Sequence, residues 1–155
     1  TIGDAATLQA PDNVLLVTPG NIKIGLKAKL VSKTSTIDID SGGNVEIGDG
    51  TSLKAPSVFI SNIFGRGPMV GNKIKIQTED LYLTGLSIVI TNSLIKLGTN
   101  GYASIDVYPN PDTGYAIDLS GTSFSGKDYS VFGYGTPSNT ATTRFRGKPS
   151  YISFE

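Results

Sequence analysis

The chain has 155 residues, enough for one ordinary domain, and thirteen basic side chains cancel thirteen acidic ones, so no net field gathers nucleic acid or an anionic membrane. It contains no Cys and no His. A disulfide framework, thiolate chemistry and histidine-dependent triads are therefore excluded, and the commonest metal ligand is missing. Sixteen each of Thr, Ser and Ile stand beside nineteen Gly, a β-branched and turn-forming composition that predicts an all-β chain. No apolar run approaches the ~18 residues that span a bilayer, and the N-terminus lacks the basic and apolar regions of a secretory signal. The chain as given is expected to be soluble, as a mature product or a fragment.

In chain order, the dominant feature is a short triplet, apolar at its ends, that returns at nearly constant intervals. It runs Leu15–Val17, Ile22–Ile24, Ala28 with Leu30, Ile37–Ile39, Val45–Ile47, Leu53–Ala55 and Val58–Ile60 at seven to eight residues, with one slip between Ala55 and Val58. Residues 62–72 interrupt the beat with Gly65, Gly67, Pro68 and Gly71. They predict a connector between two repeat blocks, or a receptor loop presenting Phe64 and Arg66. The beat then resumes at a strict seven: Ile74–Ile76, Leu81–Leu83, Ile88–Ile90 and Ile95–Leu97.

A seven-residue repeat could mean a coiled coil, but heptad positions fall three and four apart, whereas these fall two and five apart. Spacing of two is the strand period, and the intervening Pro19-Gly20, Ser41 to Asn44, Asp49 to Thr51 and Gly98 to Gly101 are turn formers. Each unit is thus a strand of three to five residues and a corner. Two buried side chains per strand contribute roughly 3–6 kcal/mol, against an ordering cost of about 1.5 kcal/mol per residue. Such units must stack on copies of themselves. Two geometries satisfy the spacing: a three-sided coil of about 21 residues within one chain, or three chains each contributing one strand per layer.

After Gly101 the character changes. Six of the seven Tyr and four of the six Phe lie in the last third, and the triplets Ile105–Val107 and Ile117–Leu119 are twelve residues apart. The expected organisation is a stem block over 1–61, a connecting loop over 62–72, a second stem block over 73–100, and a compact aromatic-rich β tip or knob over 101–155.

Three groups of residues are candidates for chemistry. Asp38, Asp40 and Asn44 around Gly42 and Gly43 faintly match a calcium loop but lack its remaining acids, so a solenoid corner is the favoured reading and no metal site is assigned. Asp106, Asp112 and Asp118 could supply a carboxylate pair for glycoside hydrolysis. Asp106 and Asp118 sit at triplet centres, however, where outward strand positions explain them; no catalytic residue and no cofactor is assigned. Receptor contact is the third possibility, carried by Tyr108, Tyr115, Tyr129, Tyr134, Arg144 and Arg146, because recognition energy concentrates in Tyr, Trp and Arg. A tip core filled with the same aromatics is the alternative.

The runs Leu53 to Ile60, Thr36 to Ile47 and Thr18 to Ile24, with their Lys-Ala-Pro linker and Ser-Gly-Gly-Asn corner, resemble the β-helical stalks of central spike proteins of contractile phage tails and of similar type VI secretion spikes. The resemblance covers about residues 7–100. It implies a rigid, parallel, intertwined homotrimer on a virion. The spike family's tip holds iron through paired His, which this chain lacks, and the oligosaccharide-binding-type barrel that precedes such stalks is not seen. Both departures shift the expectation to the wider set of phage tail fibres and tailspikes. The expected function is a non-enzymatic structural virion protein whose tip contacts or penetrates the host envelope. Its partners would be other copies, further tail or baseplate proteins and a host surface glycan or outer-membrane component, with no nucleic acid. A secreted bacterial or archaeal filament or adhesin subunit is the alternative, and a polysaccharide depolymerase fragment a third reading.

Overall fold

The structure, a computed structural model, describes residues 1–62, 67–107, 116–134 and 138–155. These form sixteen strands and no helix: β1 (Thr7–Ala10), β2 (Val14–Thr18), β3 (Ile22–Ile24), β4 (Lys29–Ser32), β5 (Thr36–Ser41), β6 (Val45–Ile47), β7 (Ser52–Lys54), β8 (Ser57–Ser61), β9 (Met69–Asn72), β10 (Lys75–Gly85), β11 (Ser87–Thr91), β12 (Leu94–Val107), β13 (Ala116–Asp118), β14 (Ser123–Tyr134), β15 (Ser138–Asn139) and β16 (Arg144–Phe154). Every ladder between them is parallel. The chain is a β-solenoid of about six turns.

Three faces follow from the pairing. The first is the ladder β1-β4-β7-β10-β12-β14-β16, using the N-terminal halves of the long strands. The second runs β2-β5-β8 and continues through the C-terminal halves of β10, β12, β14 and β16. The third is the six-stranded sheet β3-β6-β9-β11-β13-β15. Along the first face Thr7 pairs with Lys29, then Ser52, Lys75, Leu94, Ser123 and Arg144, so one turn takes 22, 23, 23, 19, 29 and 21 residues in succession. Three seven-residue units per turn explain the beat. The slip after Ala55 is the corner between the first and second faces.

Of the two geometries the spacing allows, the single-chain coil is the one formed. Successive strands of one chain supply all three sides of each layer, and the triplet ends fill the interior: Ile24, Leu30, Ile37, Ile39, Leu53, Ile60, Leu81 and Ile90 are wholly buried. The intertwined arrangement expected from the resemblance is corrected accordingly. Triplets seven apart lie on successive faces of one coil, where their own chain covers them.

Two expected boundaries are also corrected. Residues 62–72 contain β9, which pairs with β6 and β11. Met69 fills the apolar slot and inward-facing Gly71 takes the second, where a Cβ would press Ile74 and Ile90 at 3.0 and 3.2 Å, so Met-Val-Gly hides a strand. The tip boundary near residue 100 falls inside β12, whose ladder runs on through β14 and β16 to Phe154. The twelve-residue spacing between Ile105 and Ile117 is an enlarged corner within one 29-residue turn; 108–115 lie outside the described residues.

One corner has a shared backbone solution. Entering the first face, Ala5, Lys27, Gly50, Lys73, Asn92 and Gly121 stand one per turn with φ between 48° and 76°. The amide of each of Ala5, Lys27, Gly50, Lys73 and Asn92 donates to a carbonyl of the next turn, such as Lys27 N to Asp49 O at 2.9 Å and Asn92 N to Ser120 O at 2.8 Å. Inward hydroxyls complete it. Thr51 Oγ1 donates to Gly25 O at 2.9 Å and Thr122 Oγ1 to Ile90 O at 2.6 Å, which pairs buried carbonyls that no strand reaches.

Candidate functional site: an aromatic ladder and two charged faces

Alternation sends every second residue of a strand outward. On the second face, outward Phe59, Tyr82, Tyr102, Phe132 and Tyr151 come from five successive turns. Their rings form a continuous stripe, with centroids 4.6, 5.7, 5.2 and 4.9 Å apart in turn. Phe59 and Tyr82 are parallel to within 3°, and the later pairs are tilted by 35–47°. Ring faces are spent on neighbouring rings, leaving mainly edges and phenol hydroxyls outward, which suits a flat protein surface better than stacking against a sugar ring. Burial, then the nearby Asp80 and Tyr102, push the Tyr82 phenol up from its ordinary value, so it stays a proton donor.

A second set of aromatics is internal. Phe124 and Tyr129 are fully buried in the last turns, Phe145 stacks 5.6 Å from Phe124, and Phe154 follows at 6.3 Å from Phe145. Tyr129 is 0% exposed, with its hydroxyl donating to Phe124 O at 3.4 Å. Burial raises its phenol, offset in part by a backbone hydrogen bond from Arg146. As a surface contact it is therefore corrected to a core residue: Gly126 and Gly147 leave room at its corner, and the ring turns inward.

The other expected contact residues divide. Tyr134 projects from the end of the second face and is 57% exposed. Arg144 and Arg146 project from the first face in the last turn. Tyr108 and Tyr115, like Phe64, Arg66 and Asp112, lie outside the described residues. Asp106 and Asp118 are not brought together, since β12 carries the first on the second face and β13 the second on the third face. Asp38 and Asp40 point outward from β5. The corner after them is tied internally by Ser41 Oγ, which donates to Gly20 O at 2.8 Å and accepts from Gly43 N at 3.1 Å.

Folding also sorts the charges, which the linear sequence conceals. Outward positions along the body of the first face carry Lys29, Lys54, Lys75, Lys96, Arg144 and Arg146, and the corner at its far edge carries Lys127 and Lys148 with Asp128. Glu79 stands at its edge, in a corner groove of about 250 Å³ with Lys33, Lys54 and Lys96. Outward strand positions of the second face carry Asp38, Asp40, Asp80 and Asp106 and no cation, with Glu155 just beyond β16. The third face is mixed, Lys23 pairing with Glu46 at 3.1 Å. A neutral chain thus has one basic side and one acidic, aromatic side. A signal existed: laid out at 22–23 residues per turn, Lys29, Lys54 and Lys75 fall on one face.

The chain matches no known family model, and neither the curated proteins nor the solved structures include a significant match to it.

Proposed function

We propose that this chain is a structural, non-enzymatic β-solenoid segment of an extracellular spike or fibre, of the kind borne by tailed phages, and that it contacts a host envelope through its C-terminal turns. The observation that carries the reading is the first-face ladder, which runs without a break from Thr7 to Lys148 over one closed apolar core. A stack in which each turn covers the next is a stiff rod with few loops to cleave, the mechanical requirement of a stem. Side-by-side assembly as a homotrimer on a virion, in contact with other tail or baseplate proteins, belongs to the same proposal. Host contact falls to Tyr134, at the end of the second face, and to Arg144 and Arg146 on the first, all exposed in the last two turns. The full chain is expected to co-sediment with outer-membrane vesicles rich in lipopolysaccharide, and the triple variant Tyr134→Ala, Arg144→Ala, Arg146→Ala to lose at least about tenfold in affinity. Equal retention of both proteins, or of neither, overturns the envelope-contact reading.

A secreted filament or adhesin subunit is the second reading. Leu15 and Val17, each 62% exposed on the outer side of β2, favour it as an apolar patch that a lateral neighbour would cover.

A further inference from the structure

We infer that the basic first face of one copy docks on the acidic, aromatic second face of another, the two solenoids lying parallel and in register. This rests on the proposal that copies assemble side by side and assigns the surfaces that do so. The charges of the two faces match in position. Numbering the turns along the first-face ladder, turn two carries Lys29, turn three Lys54, turn four Lys75 and turn five Lys96, while Arg144 and Arg146 of turn seven are left to the host contact proposed above. On the second face Asp38 and Asp40 stand in turn two, Asp80 in turn four and Asp106 in turn five. Turns six and three carry no second-face acid. With axes parallel, as closure into a ring about a common axis requires, and turns level, each of these acids meets a cation of its own turn.

The surfaces suit each other otherwise. From turn two to turn five the cations alternate between two columns, Lys29 and Lys75 in one, Lys54 and Lys96 in the other, so none sits directly over the next. Neither of the two ion pairs found among the described residues uses a charge of either face. The charges of both faces are thus free to meet those of a second copy. Six turns at about 4.8 Å and five residues at about 3.3 Å give each face roughly 500 Å², or ~1,000 Å² per contact, the threshold of a specific interface. The aromatic stripe occupies two of the three outward columns of the acidic face, which it shares with Asp38 and Asp80, and Asp40 and Asp106 stand in the third. The contact joins two different patches, so it is heterologous and closes into a ring when repeated about a common axis. The trimer proposed above is such a ring.

The test uses two charge-reversed full chains: Lys54→Glu, Lys75→Glu, Lys96→Glu on the basic face, and Asp38→Lys, Asp80→Lys, Asp106→Lys on the acidic one. All six positions face outward, and far-ultraviolet circular dichroism checks that each variant keeps its β-structure. In analytical ultracentrifugation the unmodified chain is expected to sediment as an assembly that high salt dissociates. Each variant alone should sediment as one chain. Mixing the two in equal amounts should restore association as unlike pairs or even-numbered assemblies and not as the closed trimer, since each face of one variant fits the opposite face of the other while a ring of three would set two copies of one variant together. If both variants assemble as the unmodified chain does, the faces are not the contact, although side-by-side assembly survives. If the unmodified chain is a single chain at every concentration, assembly and docking both fall. Binding of heparin by such a single chain, lost in the lysine-reversed variant, would make a polyanion the occupant of the basic face in place of a second copy.

Discussion

Tyr82 lies flat on Phe59 across adjacent turns, the rings 4.6 Å apart and parallel to within 3°, because the two residues are register partners in the β8–β10 ladder. Such a pair is worth about 0.5–1.5 kcal/mol beyond the area it buries. A double-mutant cycle with Phe59→Ala and Tyr82→Ala, read by denaturant unfolding, should return a coupling energy in that range. Strict additivity would show that the rings pack without interacting.

Residues 88 to 90 give the sharpest test of register. Ile88 and Ile90 are wholly buried while Val89 faces outward from the third face. Ile88→Asp or Ile90→Asp places an unpaired carboxylate in the core at a cost of several kcal/mol, enough to unfold a marginal chain. Val89→Asp should change the melting temperature little. Equal effects at all three positions would mean the alternation has been misread.

The corners at the two ends of the first face predict opposite signs for two glycine exchanges. Lys73 has a φ of 52°, a left-handed conformation that disfavours any side chain bearing a Cβ, so Lys73→Gly should raise stability by up to about 1 kcal/mol. Gly147, at φ 91°, leaves no such option, since a Cβ there would stand 2.1 Å from Gly126 O. Gly147→Ala should lower the melting temperature. A Lys73→Gly variant that loses stability would assign its side chain a packing role greater than the backbone cost.

Asp38 provides the pH test. Burial, and then the charge of Asp40, raise its carboxyl above the ordinary value. Its ionised form is thus disfavoured in the folded chain, and the penalty is present above the folded pKa and relieved as pH falls through it. Asp38→Asn should therefore melt higher than the unmodified chain at neutral pH, the gap closing in acid below the ordinary carboxylate value. Thermal melts at a dilution that leaves single chains would show it, and a gap independent of pH would refute the assignment. In the docked assembly a lysine opposite Asp38 favours ionisation, so assembly should weaken as pH falls through the carboxylate range.

Much of this architecture could be read from residue order. The period of two within Ile74–Ile76 and its companions excludes helix, and the seven-residue advance with Gly, Asn and Asp at the corners specifies short strands that stack. The triplet ends are the core, because alternation places both on one side of a strand whatever the fold around it. What residue order could not convey is which strands are neighbours. Seven-residue spacing is equally compatible with one chain turning three times per coil and with three chains sharing a layer, and only the closure of the tertiary structure makes the 22- to 23-residue turn the true repeat. Strand β9 was hidden because Gly71 fills an inward slot without being apolar, its space taken by Ile74 and Ile90. Tyr129 and Tyr134 are alike in sequence, five residues apart in one strand. A corner beside Gly126 turns one into the core while the other stays on the rim. The charged faces are tertiary for the same reason: Lys29, Lys54, Lys75 and Lys96 are scattered among acids along the chain, and only stacking at the pitch of the coil brings like charges to one side.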